Sequence, residues 1–204
     1  MTIKNVLPLI VHFAILATFF MFGCTRIKTK NESTDEFLLY EESMNLTRIV
    51  WIDSSYCNPS FSISTPMPLD KDNIELPEEA LKKIESIGYY IFQTKDNLLI
   101  QLICTKYHEN SIKGFELDKS IDGIIVGLKQ QVFGDSLKYQ KEVIKNGKQD
   151  GTLLYGNYVD ENELISFKLG VFYKESEMWQ LLIIYSPNVN EQIEIAERVF
   201  ESII

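Results

Sequence analysis

Histidine is nearly missing from this 204-residue chain, with 2 copies, and cysteine is scarce, with 3. His12 lies in an apolar N-terminal stretch, so any chemistry built on imidazole rests on His108. A Ser-His-Asp or Cys-His nucleophile needs such a base, and zinc needs three or four His or Cys ligands. The chain can hardly supply either, and His108, at the end of an expected strand beside Glu109, reads as an exposed loop residue. Basic charge is also short. The 20 Lys and Arg against 29 Asp and Glu leave a net charge of -9, which argues against phosphate-backbone recognition and so against nucleic acid as a partner. No G-x-S-x-G, P-loop or G-x-G-x-x-G stretch occurs, and no cofactor is expected. Asp70-Lys71-Asp72-Asn73 and Asp160-Glu161-Asn162-Glu163 offer oxygens to a calcium ion. Neither has the Gly and distal Glu of an EF-hand loop, and both read as solvated turns.

What the chain does have is a sharp division. Hydrophobic residues at 45% and charged residues at 24% are ordinary for a globular protein, yet residues 1–23 hold a single charge, Lys4. A short basic start, an apolar run from Val6 to Phe22 and a small residue before a cleavage point describe a secretory signal peptide. The residue after Gly23 is Cys24, and Met21-Phe22-Gly23-Cys24 resembles the lipobox of bacterial lipoproteins. Gly23 fits that pattern, whereas Met21 and Phe22 depart from its preference for Leu followed by a small residue. The resemblance implies acylation of Cys24, cleavage before it, and attachment to a membrane through the lipid. An uncleaved anchor is the competing reading, because the apolar run approaches the length of a bilayer span. Cleavage removes one lysine and no acid, so the mature chain is more acidic still and anionic lipid repels its body. Attachment then falls to the N-terminus.

Residues 24–44 read as the lipidated end and a flexible tether. The run Thr25–Phe37 is polar and has no apolar period, and about twenty such residues reach a few tens of ångströms. Arg26, Lys28 and Lys30 lack the acidic start of surface-exported lipoproteins, which points to a periplasm-facing location in the cell envelope.

Residues 45–204 organise as one α+β domain. A strand is expected at Phe61–Ser64 and a helix at Pro77–Ile87, ended by Gly88, with Ala80, Leu81, Ile84 and Ile87 on one face. A hairpin follows, Tyr89–Gln93 and Leu98–Tyr107, then a helix over Glu116–Phe133 stopped by Gly134. Four strands come next as a meander: Leu137–Lys145, Thr152–Val159, Leu164–Tyr173 and Trp179–Tyr185, the first turning at Asn146-Gly147. A final helix begins after Ser186-Pro187 with Asn188 as its cap. Trp179, Leu181, Ile183 and Tyr185 face opposite Leu182 and Ile184, while Leu98, Ile100, Leu102 and Cys104 face opposite Leu99 and Ile103. Strands apolar on both faces must be covered on both. The expectation is an antiparallel sheet of about six to seven strands with helices on both faces. Leu137–Lys145, rich in Lys, reads as a charged edge that discourages pairing.

That order resembles the PsbP-like fold group, which includes the extrinsic photosystem subunit PsbP, a Ran-binding nuclear import factor and bacterial lipoproteins of the DcrB type. The likeness rests on Phe61-Ser62-Ile63-Ser64-Thr65-Pro66, the mid-chain helix, the strand Trp179–Tyr185 and the ending Phe200-Glu201-Ser202-Ile203. It implies a sandwich used mainly for binding proteins, with no shared catalytic centre.

With Cys24 acylated, Cys57 and Cys104 remain. A pair in an oxidising compartment permits a disulfide, and a buried free thiol at Cys104 is the alternative. Tyr89-Tyr90, Tyr155, Tyr158 and Phe172-Tyr173 fall on strands, either as core or as a binding face for a partner. The chain is therefore read as a non-catalytic, membrane-anchored envelope lipoprotein that binds an envelope protein as scaffold, assembly or accessory factor. The alternative is an envelope hydrolase using carboxylates on the sheet turns.

Overall fold

The computed structural model describes residues 50–58, 60–74, 76, 78–94, 96–112, 116–129, 136–145, 150–160 and 162–203. The signal segment, Cys24, the tether, residues 45–49, the Asn146-Gly147 turn and Gly134 all lie outside them.

Strands β1 (Ile52–Tyr56) and β2 (Phe61–Thr65) form a hairpin of their own. Strands β3 (Asp70–Asp72), β4 (Ile84–Gln93), β5 (Leu99–Tyr107), β6 (Lys138–Lys145), β7 (Asp150–Asp160), β8 (Glu163–Lys174) and β9 (Glu177–Tyr185) make one antiparallel sheet in the order β3-β4-β5-β9-β8-β7-β6. Helices α1 (Glu78–Leu81) and α2 (Leu117–Leu128) fall between β3 and β6, and α3 (Asn190–Glu201) follows β9.

The sheet is the middle layer. Against one face α2 sets Ile121, Ile124, Ile125 and Leu128, in one core with Leu99, Ile103, Leu182 and Ile184. Against the other lie α3, through Ile195, Ala196, Val199 and Phe200, and the β1–β2 hairpin, through Tyr56, Phe61 and Ile63. The central strands supply Ile100, Leu102, Leu181 and Ile183 to that second core. Because β5 and β9 are covered on both sides, they are apolar on both faces, as the alternation anticipated.

Three expectations need correction. The helix over Pro77–Ile87 shrinks to the four residues of α1, and Ile84 begins β4 instead. Ile84 pairs with Tyr107, and the register shifts at a bulge before Ser86. Pairing along β5 outweighs a helix too short to be stable alone, and Leu81, meant for the buried stripe, is 56% exposed. Gly88 does not stop a helix; it faces Cys104 across the β4–β5 pair. At the last helix, Asn188 is not the cap, because α3 starts at Asn190 after Val189. The Ser186 backbone N–H donates to Gln192 Oε1 at 2.8 Å, and Gln192 Nε2 donates to the Asp96 carbonyl at 2.7 Å. A buried glutamine thus ties the start of α3 to the β4–β5 turn. Strands β1 and β3 were not anticipated. The edge position expected for Leu137–Lys145 is the one β6 occupies.

Tyr89 and Tyr158 are buried on the α2 side. Burial pushes both phenols well above the ordinary tyrosine value, with Asp72 adding to the effect at Tyr89 and Asp160 at Tyr158. The folded protein therefore keeps protons that the unfolded chain releases above about pH 10. Stability is expected to hold below that pH and to fall as pH rises past it, by up to about 1.4 kcal/mol per pH unit for each phenol. Denaturant unfolding at pH 9, 10 and 11 measures this; burial raises Tyr173 and Tyr185 as well, so Tyr89→Phe should make the fall shallower without abolishing it. A flat profile would contradict the assignment.

Candidate functional site

The β1–β2 hairpin reaches across the sheet and ends at the turn Cys57-Asn58. Cys57 has a φ of 75°, a left-handed conformation uncommon outside glycine and asparagine. The structure joins it to Cys104 on β5, with Cα atoms 5.9 Å apart, inside the span a disulfide requires. The turn is thereby fastened to the sheet.

Cys104 lies between Gly88 on β4 and Trp179 on β9, its neighbours across the strands. Trp179 stacks on Phe61 of the hairpin, with centroids 5.7 Å apart and planes at 21°. Tyr90 bends back over Gly88, where a Cβ would stand 2.9 Å from its ring. The absent side chain is what lets the ring lie there. Tyr56 packs against Tyr90 at 5.1 Å, and its hydroxyl accepts a bond from the Leu69 N–H at 2.9 Å. That bond holds the approach to β3, and so the position of Lys71, which is opposite Tyr90.

These pieces enclose an open recess of about 230 Å³ between the hairpin turn and the sheet. The disulfide and Gly88 form its floor, and Tyr90 and Trp179 its aromatic walls. Lys71 stands on one side, with Lys106 and Glu177 on the other. Lys106 Nζ donates to Glu85 Oε1 at 2.7 Å, and this bond raises its pKa. Burial raises the carboxyl of Glu177, with Lys106 opposing that shift. Apolar surface and charges of both signs therefore meet at the recess.

The structure puts the other candidates elsewhere. His108 is exposed at the end of β5, where its backbone N–H donates to the Lys83 carbonyl at 3.0 Å. Asp70, Asp72 and Asn73 are exposed along and just after β3. Among the described residues no three His, Cys, Asp or Glu side chains gather as a metal site. The turn carboxylates separate: Asp160 and Glu163 flank one end of β8, and Glu175 and Glu177 the other. Its 12 residues span roughly 35 Å. The aromatic candidates divide between the two faces. Tyr90, Tyr155 and Phe172 lie on the hairpin side, and Tyr89, Tyr158 and Tyr173 on the α2 side. Lys71 and Lys106 carried no functional signal in the sequence, and Gly88 was read only as a helix stop; the cysteine pair and Tyr90 were the pointers to this region.

No family model matches the chain, and no curated protein matches it. Among solved structures it is similar to LpqN of Mycobacterium tuberculosis, described as involved in cell envelope biogenesis, at 15% identity and a TM-score of 0.43. That match covers 56% of this chain and 68% of LpqN. It is also similar to PA94 of Pseudomonas aeruginosa, a protein of unknown function, at 10% identity and a TM-score of 0.42, over 68% of this chain and 96% of that one.

Proposed function

We propose that this is a lipid-anchored, non-catalytic protein of the cell envelope, facing the periplasm, whose domain binds a partner protein as scaffold, assembly or accessory factor. The observation that carries the reading is the joining of Cys57 to Cys104. A disulfide persists in an oxidising compartment, and Gly23-Cys24 after an apolar run is an address to one. The elements behind the PsbP-like resemblance support the same reading: β2, β9 and α3 fall where they were expected, and α2 falls within the stretch Glu116–Phe133, of which residues 130–133 lie outside the described residues. The recess is the surface we assign to the partner, because its aromatic walls and charged edge are of the kind that anchor protein contacts.

Two measurements test this. Protein extracted from membranes with detergent is expected to begin at Cys24 with the added mass of acyl chains, and a mass that still includes residues 1–23 would overturn the anchor. A photo-cross-linking residue at Asn58, beside the recess, is expected to yield a discrete adduct with one envelope protein in intact membranes. The same residue at Asp122, on the exposed side of α2, should not. Equal labelling, or none at either position, would overturn the binding surface.

A further inference from the structure

Strand β6 ends the sheet, and among the described residues only β7 pairs with it. Residues 138–143 are all exposed. Two of them are apolar or aromatic and stand on the α2 side: Tyr139, 37% exposed, and Val143, 58% exposed. An edge of this length offers a row of backbone donors and acceptors to another strand. Lysines on such an edge repel most partners, but the order of charges here matches one particular partner, which is a second copy of β6.

Two antiparallel strands keep each side chain on its own face only in alternate registers. With Gln140 opposite itself, Lys138 meets Glu142 of the second copy, twice over by symmetry. Tyr139 meets Lys141 in the same way. Sliding the centre to Lys141 sets lysine against lysine, and sliding it to Glu142 sets glutamate against glutamate. With Tyr139 at the centre, Lys138 faces only Gln140. Opposite charges directly across a strand pair stabilise it and like charges oppose it, so the charges select the Gln140 register. Gln140 can take its place there: its Oε1 accepts from the Tyr155 hydroxyl at 2.9 Å, which leaves its amide N–H groups to donate.

We infer that β6 pairs antiparallel with β6 of a second copy about a twofold axis at Gln140, so that one sheet runs through both copies. Such an interface is self-complementary, as a twofold pair requires.

Disulfide trapping of the full chain in its membrane tests the register as well as the contact. Gln140→Cys places two thiols directly opposite and is expected to give a dimer on a denaturing, non-reducing gel. Glu142→Cys sets them about four residues apart along the strands, beyond disulfide reach, and should give at least tenfold less. Lys138→Glu in the Gln140→Cys protein should lower the dimer by a similar factor, and adding Glu142→Lys should restore it, because the exchanged charges again match. No dimer from Gln140→Cys, equal trapping at both positions, or failure of the charge exchange to restore it would each overturn the inference. The restored variant also separates lost pairing from lost folding.

Discussion

Replacing Cys57 and Cys104 together with alanine is expected to lower the unfolding free energy by about 4 kcal/mol. The bridge closes a loop of sequence separation 47, and the chain-entropy relation for a loop of that size gives this figure at room temperature. For a domain of this length the midpoint should fall by roughly 10 °C. The hairpin keeps its other attachments, since Phe61 and Ile63 remain buried and the Ser64 N–H donates to Ser202 Oγ at 3.0 Å. The variant should therefore still fold. Thermal unfolding with and without reductant checks the assignment. Reductant should bring the wild type down to the variant and leave the variant unmoved; a wild type indifferent to reductant would mean that the bridge carries no stability.

The second large effect lies one layer deeper. Phe172 is fully buried and stands opposite Gly151. A Cβ at Gly151 would lie 2.6 Å from its ring, and one at Gly170 would lie 2.7 Å from it. Two glycines have made room for one phenyl group, which also packs on Phe61 at 5.6 Å. Phe172→Ala should cost about 5 kcal/mol, at the upper end for a buried phenylalanine, because the flanking glycines have no side chains to fill the void. A double-mutant cycle makes the explanation specific. Gly151→Ala should destabilise the wild type, where its methyl meets the ring, and cost much less once Phe172 is alanine. Equal costs in both backgrounds would show that the ring is not what excludes the methyl.

The layering was legible because it is written in alternation. In β5 and β9 both parities are apolar along most of the strand, and that pattern leaves little choice but a covered sheet. The expected helix at Pro77–Ile87 failed for a related reason. Ala80, Leu81, Ile84 and Ile87 satisfy a helical period, but Ile84 and Ile87 sit equally well on a strand, and the choice was made by pairing with β5, which local sequence does not display. Strand β3 is three residues of charge, too short to carry any period. The recess was less legible than the fold because five segments meet there: the hairpin turn, β3, β4, β5 and β9. Only the cysteines linked two of those segments in advance. The neighbours Tyr89 and Tyr90 show the difficulty in miniature, since one is sealed beneath α2 and the other walls the recess.

The position of β9 also bears on how the molecule comes into being. It is the last strand of the sheet to be made, yet it lies between β5 and β8 and, among the described residues, is the only strand that joins the first half of the sheet to the second. Until residue 185 has emerged from whatever delivers the chain, β3-β4-β5 and β6-β7-β8 are two separate ribbons, each with an apolar edge waiting. Closure then comes late, through contacts distant in sequence, which makes assembly slow and leaves the half-made sheet open to wrong partners. A chain that is released before its final strand is complete has no seam along which to fold.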